Sequence, residues 1–204
     1  VYTCVNESTG SFLGQLHRNI MVSSNRQYRG IFFTDFDGTL FRSDGTVSET
    51  DIATLEKLGT YGIARVIATG RSLHSYFRTV TEKLPIDYLI FSTGTGIMDY
   101  SDYSVMKSFL MEPDDVKKTS SLFMEQNLDF MIHSPVPDNH RFTYWPERSN
   151  NPDYNNRISL YKDYSTPLES PVPEYTEASQ LLAILPGNNG TGVYEFIKAS
   201  LPQL

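Results

Sequence analysis

The apolar run Ile31-Phe32-Phe33-Thr34 passes directly into Asp35-Phe36-Asp37-Gly38-Thr39-Leu40, and no other feature constrains this chain as much. A short uninterrupted apolar run reads as a strand covered on both faces. Carboxylates just beyond it stand at the strand's carboxyl end, where open parallel sheets hold their ligands. The pattern repeats. Ile63 to Ala68 is a second such strand, ending at Thr69-Gly70-Arg71-Ser72, and Ile86 to Phe91 is a third, followed by Ser92-Thr93-Gly94-Thr95-Gly96. Helical spacing fills the gaps. Ser48-Glu49-Thr50-Asp51 resembles a capping box, Ile52, Leu55 and Leu58 follow at helical intervals, and Gly62 supplies a left-handed stop. A second helix carries Leu73, Phe77, Val80 and Leu84 and closes at Pro85. This alternation predicts an α/β fold, a doubly wound parallel, Rossmann-like core over residues 31–96 with right-handed crossovers.

The rhythm changes after residue 97. Ile97 to Tyr100 and Val105 to Phe109 read as a small antiparallel pair, and a helix follows from Pro113 to Gln126. Leu128 to His133 and Arg141 to Trp145 are strand-like, joined by Ser134-Pro135-Val136-Pro137-Asp138. Tyr154, Ile158 and Tyr161 have helical spacing. A loop with Pro167, Pro171 and Pro173 leads to a strand near Leu181 to Leu185, and Pro186 to Gly190 turns into a last helix carrying Val193, Phe196, Ile197 and Leu201. Residues 97–204 are thus expected to form an α+β region. Residues 1–30 show no periodicity and are expected to be a poorly ordered lead, within which Met21 is a candidate true start.

A chain of 204 residues buries a core without disulfide or metal staples. Its 17 Lys+Arg against 24 Asp+Glu give a net charge of −7, a field that repels polyanions and argues against a nucleic-acid partner. A small phosphorylated ligand needs only one local basic pocket. The single Cys4 can make neither an intrachain disulfide nor a thiolate metal site. No apolar run approaches the roughly 18 to 20 residues that span a bilayer, so no membrane partner is expected. No basic-then-apolar leader is visible either, and the expected compartment is the cytoplasm.

The chemistry lies at the strand ends. Two carboxylates two residues apart can approach one centre from different directions, the first attacking phosphorus while the second protonates the leaving oxygen. Both also suit a hard cation such as Mg²⁺. Gly38 lets the backbone turn so that its amides face a phosphate. The bland alternative is a polar Asp-Gly turn, disfavoured because the motif follows a hydrophobic strand directly. Thr69-Gly70-Arg71 at the next strand end reads as an anion site, with Arg71 able to pair bidentately with a phosphate or a carboxylate. Alone, that tripeptide is equally well a helix cap with a solvent-facing Arg. The candidate phosphate-binding set is Gly38, Thr39, Thr69, Gly70 and Arg71.

Together, Phe33 to Leu40 and Ile67-Ala68-Thr69-Gly70-Arg71 resemble the haloacid dehalogenase (HAD) superfamily, in its Cof-type and sucrose-phosphatase-like branch. The resemblance implies that Asp35 is the nucleophile that becomes a phosphoaspartate and that Asp37 is acid and then base. It implies Mg²⁺ held by the Asp35 carboxylate and the Asp37 backbone carbonyl, with Thr69 on the transferring phosphoryl group. In this branch an α+β cap follows the third strand, and residues 97–204 resemble that cap. The family also uses a Lys after the cap and then a Gly-Asp…Asp loop. Neither is found here: Lys198 lies inside the last helix, and Asp153 and Asp163 fall within the cap-like region. The chain is therefore expected to stop before it returns to the core.

Asp138-Asn139-His140-Arg141-Phe142-Thr143-Tyr144-Trp145 is dense in hydrogen-bonding and aromatic groups. One reading is a sugar-contacting edge, with Trp145 or Tyr144 stacking on the ring and His140 or Arg141 binding hydroxyls. The other, which is favoured, is an ordinary alternating strand with a buried Trp. His17 and His74 are read as structural. The expected activity is a Mg²⁺-dependent phosphatase of small phosphorylated metabolites, most of all sugar phosphates. The alternatives are a phosphate- or Mg²⁺-binding module without turnover, and a sugar phosphomutase or phosphotransferase.

Overall fold

The computed structural model describes residues 27–146, 149–169, 176–187 and 190–201. The expected lead through residue 26, with Cys4, His17 and Met21, lies outside the described residues, as do Pro171 and Pro173. The chain divides into two compact units between Phe109 and Leu110.

The first unit is built on a five-stranded sheet. β1 (Gly30–Asp35), β2 (Ile63–Ala68) and β3 (Tyr88–Phe91) are adjacent and parallel, with Asp35 opposite Ala68 and Ala68 opposite Ile90. The crossovers pass through α1 (Glu49–Thr60) and α2 (Leu73–Thr79). This is the expected α/β core. Ser48 caps α1, accepting from the Asp51 N–H at 3.1 Å, and Gly62 takes φ +69° after the helix. β2 is an interior strand covered on both sides, since Val66 and Ile67, which point to opposite faces, are fully buried. A buried ionic fork ties β2 to the approach to β3, Arg65 Nε and Nη2 donating to the two Asp87 oxygens at 2.8 and 2.9 Å.

Three expectations need correction here. α2 ends at Thr79 rather than running to Pro85, because Val80 is already extended at φ −93°, ψ 101°. Its buried face is Leu73 and Tyr76, while Phe77, expected inside, is 38% exposed. The antiparallel pair β4 (Gly96–Asp99) and β5 (Val105–Ser108) continues this sheet beyond β3, so the unit boundary falls after residue 109 and not at 96. The cause is the tight corner at Ser92–Gly94. Ser92, Thr93 and Gly94 all have positive φ, which reverses the chain and lays Gly96 against Phe91. A Cβ at Gly96 would come within 2.1 Å of the Phe91 ring, so only glycine fits.

Among the described residues β1 hydrogen-bonds to β2 alone. Phe32 and Phe33, which point to opposite faces, are 39% and 40% exposed. β1, expected to be covered on both faces, is covered on neither as fully as β2 by the described residues.

The second unit is built on a four-stranded sheet. β6 (Phe130–His133) pairs antiparallel with β7 (Phe142–Trp145) on one side and with β9 (Gln180–Ala183) on the other. β8 (Ser165–Pro167), unforeseen in the proline-rich stretch, adds parallel to β7 as an edge strand, where among the described residues Pro167 has no neighbour awaiting its missing N–H. α3 (Pro113–Glu125) and α5 (Gly190–Ser200) supply one apolar cluster with Phe130 and Leu181, and α4 (Pro152–Leu160) supplies another, Tyr154 packing with Met131 and Phe142. Asn151 caps α4 while its amide donates to Asp129 Oδ2 (3.0 Å) and the Ile184 carbonyl (2.8 Å). The unit is α+β, as expected for this part of the chain.

Candidate active site

Parallel register sets the site. Because Asp35 lies opposite Ala68, the residues that follow each strand, Phe36 to Thr39 and Thr69 to Arg71, leave the sheet side by side. The third strand adds its own corner: the Thr69 N–H donates to the Ile90 carbonyl (2.9 Å), the Thr93 N–H to the Thr69 carbonyl (3.1 Å) and the Ser92 N–H to the Arg71 carbonyl (2.8 Å). The loop after β1 is closed by Gly38 N–H donating to the Phe41 carbonyl (2.9 Å) and Phe41 N–H donating to the Phe36 carbonyl (2.8 Å). Phe36 is fully buried and stacks on Phe41, with centroids 5.0 Å apart.

The two carboxylates end up differently held. Asp35 is exposed, and its carboxylate accepts one hydrogen bond among the described residues, from Thr39 Oγ1 at 3.3 Å. Asp37 is also exposed but gripped. Arg71 Nε lies 2.9 and 3.0 Å from its two oxygens, Arg71 Nη2 donates to Oδ1 at 2.8 Å, and Thr69 Oγ1 approaches Oδ2 at 3.4 Å. The guanidinium is itself fixed. Its Nη1 donates to Thr79 Oγ1, and it lies 5.5 Å from the Phe36 ring centroid and 5.8 Å from that of Phe41.

The motif residues therefore come together. Arg71 pairs with the Asp37 carboxylate. Gly38, at φ +75°, contributes its left-handed turn, while its amide donates to the Phe41 carbonyl. Thr69 is 5% exposed and its hydroxyl serves the Arg71 N–H (3.1 Å) and Asp37. Gly70 and Thr39 are exposed. Local sequence does not mark Thr79 or Phe41, because each reaches Arg71 only once a helix or a loop has folded back.

For a hard divalent ion, the fit is of oxygen donors. Asp35 has carboxylate capacity to spare, and neither hydrogen bond closing the 36–41 loop uses the Asp37 carbonyl. No group of three or more His, Cys, Asp or Glu gathers among the described residues, so the donors they bring to this site are Asp35 and the Asp37 carbonyl.

The four residues of the second unit do not form one edge. Trp145 packs toward the cluster of α3 and α5, and Tyr144 toward that of α4 on the opposite face. His140 and Arg141 meet instead at Tyr164, the His ring edge-on at 4.9 Å and the guanidinium 5.4 Å from the centroid. Lys198 lies over Tyr194 on α5. No helix among the described residues is long and apolar enough to cross a membrane.

The TM0651 protein of Thermotoga maritima has a similar fold, with a TM-score of 0.60 at 18% identity over 87% of this chain and 64% of that one. BT1666 of Bacteroides thetaiotaomicron, described among phosphatases of the haloalkanoate (HAD) superfamily, matches with a TM-score of 0.51 at 22% identity over 85% of this chain and 54% of that one. A HAD-like hydrolase, also from Bacteroides thetaiotaomicron, gives 0.54 at 17% identity over 86% and 63%. The chain thus spans less than two thirds of the length of these structures. Comparison with curated proteins finds no match. The family model for haloacid dehalogenase-like hydrolases matches residues 32–201, which take in both carboxylates, Thr69 to Arg71 and most of the second unit. The chain belongs to the haloacid dehalogenase-like hydrolase family.

Proposed function

We propose that the protein is a Mg²⁺-dependent phosphatase of small phosphorylated metabolites, sugar phosphates above all, working through an aspartyl phosphate on Asp35. The observation that carries this reading is the unequal holding of the two carboxylates. A nucleophile needs an oxygen free to reach phosphorus, and Asp35 has one. A proton carrier needs a fixed orientation, and Asp37 has that. In the proposed sequence, an Asp35 oxygen forms the new bond to phosphorus and the bond to the substrate oxygen breaks, that oxygen taking a proton from Asp37. Water, giving its proton back to Asp37, then attacks phosphorus, which frees Asp35 and inorganic phosphate. Asp35 and the Asp37 carbonyl would hold Mg²⁺, which neutralises charge on the phosphoryl oxygens when bound. Family membership and the description of BT1666 support the reaction class. The choice of sugar phosphates rests on the resemblance of the motifs to the sucrose-phosphatase-like branch.

Binding of Mg²⁺ and phosphate without turnover is the second reading, favoured by the small donor set. Assay with an aryl phosphate and a hexose phosphate, with and without Mg²⁺, separates the two. The phosphatase reading expects Mg²⁺-dependent release of phosphate and its loss by about a thousandfold or more in Asp35→Asn, with cooperative unfolding unchanged. Undiminished turnover in that variant ends the proposal, and phosphate binding without turnover in the parent selects the second reading.

A further inference from the structure

The tripeptide Thr69-Gly70-Arg71 makes Arg71 a candidate phosphate ligand, but its surroundings are those of a side chain with another task. Its Nε and Nη2 face the Asp37 oxygens at 2.8 to 3.0 Å, its Nη1 is engaged by Thr79 Oγ1, and Phe36 and Phe41 support its plane. Thr79 is in turn anchored, its hydroxyl donating to the Ser75 carbonyl at 3.0 Å on the last turn of α2. Phe36, fully buried, packs on Tyr76 of the same helix with centroids 5.1 Å apart. The guanidinium is thus braced from a helix and from a buried ring, and its open fork is committed to one carboxylate. A planar fork on both oxygens of a carboxylate fixes its rotation as well as its position.

We infer that Arg71 is a positioning residue for Asp37, setting the direction in which Asp37 delivers and takes its proton, and is not a ligand of the transferring phosphate. The inference rests on the phosphatase reading above and adds to it a division of labour. Asp37 unsupported is a short side chain on an exposed turn, free to rotate away from the leaving oxygen. Braced by Arg71, Thr79 and the Phe36–Phe41 stack, it meets that oxygen in one geometry. An arrangement of this kind matters for a leaving group that needs a proton and little for one that departs as a stable anion.

The test uses the protein expressed from its full reading frame and compares kcat/KM for a hexose phosphate and a nitrophenyl phosphate. Arg71→Ala is expected to lower the hexose phosphate value by about a hundredfold and the aryl value by less than about tenfold. In Asp37→Asn, which has already lost the proton, Arg71→Ala should add little further loss, and inhibition by inorganic phosphate should stay near its parent value. Arg71→Lys keeps the charge but not the fork, and should recover only a small part of the hexose phosphate rate. Equal losses on both substrates, with phosphate inhibition weakened by the same factor, would place Arg71 on the phosphate and overturn the inference while leaving the phosphatase reading intact. Complete recovery by Lys would overturn it too. An Arg71→Ala variant that no longer folds is replaced by Thr79→Val, which removes the brace alone and is expected to show the same substrate split in weaker form; equal effects on both substrates would again overturn the inference. A parent protein without turnover of either substrate would remove the phosphatase reading and this inference with it.

Discussion

Residues 35–71 of the first unit and 138–145 of the second are both rich in polar and aromatic groups, but folding treats them in opposite ways. In the first, Asp37 and Arg71, far apart in sequence, become bonded neighbours, with Thr79 joining from farther still. In the second, Tyr144 and Trp145, adjacent in sequence, face different apolar clusters. Strand ends gather groups because parallel register brings successive loops to one rim; strand bodies scatter them because alternate side chains point to opposite faces. Density along the chain becomes density in space only at the ends.

The sharpest attempt to break this contrast is through His133, the buried polar group at the end of β6. Its Nδ1 lies 2.9 Å from the Asn139 carbonyl, and burial, helped by the charge of Arg157, pushes its pKa down to about 4 against the Asn139 bond that would raise it. The folded protein therefore keeps His133 neutral between pH 6.5 and 4, while the unfolded chain takes up a proton over that range. Stability must fall as pH falls through this window, by up to about 3 kcal/mol near pH 4. Urea denaturation at about pH 7 and about pH 5, either side of the unfolded-state value, measures it, and a His133→Gln variant should lose the corresponding slope. An unchanged slope would mean that His133 is not a packed structural group.

A smaller effect is expected at Trp145. If its ring is core, Trp145→Ala costs about 2 kcal/mol, less than for a fully buried aromatic because the side chain is half-buried. The kcat/KM ratio between hexose phosphate and nitrophenyl phosphate should then stay constant. A changed ratio with unchanged stability would return Trp145 to a ligand-facing role.

The same contrast explains what could be read from the sequence. β1, β2, β3 and the motif loops were legible because apolar runs and glycines at their ends have few other uses. Ser48 and Gly62 marked α1 because caps carry their signal locally. The end of α2 was not legible, since Leu84 and Pro85 prolong a helical pattern that Val80 abandons. The membership of β4 and β5 in the first sheet depended on three successive positive-φ residues, a conformation that Ser92 and Thr93 do not announce. The partner of Arg71 was open between phosphate and carboxylate because a fork fits both. Its placement beside Asp37 is a tertiary fact that no local pattern carries.

Among the described residues β1 pairs on one side only, and this has a consequence for colloidal behaviour. Backbone groups without a strand partner there, beside two half-exposed phenylalanines, favour edge-to-edge association, while a net charge of −7 makes two copies repel each other. The attraction acts at contact and is indifferent to salt. The repulsion acts over a Debye length, which shrinks from about 30 Å at about 0.01 M to about 8 Å at physiological ionic strength. Added salt should therefore drive the chain toward association, where a protein held together by charge would come apart. Light scattering across a sodium chloride series should rise with concentration of salt, and Phe33→Glu, which removes apolar surface and adds negative charge at the edge itself, should flatten the rise.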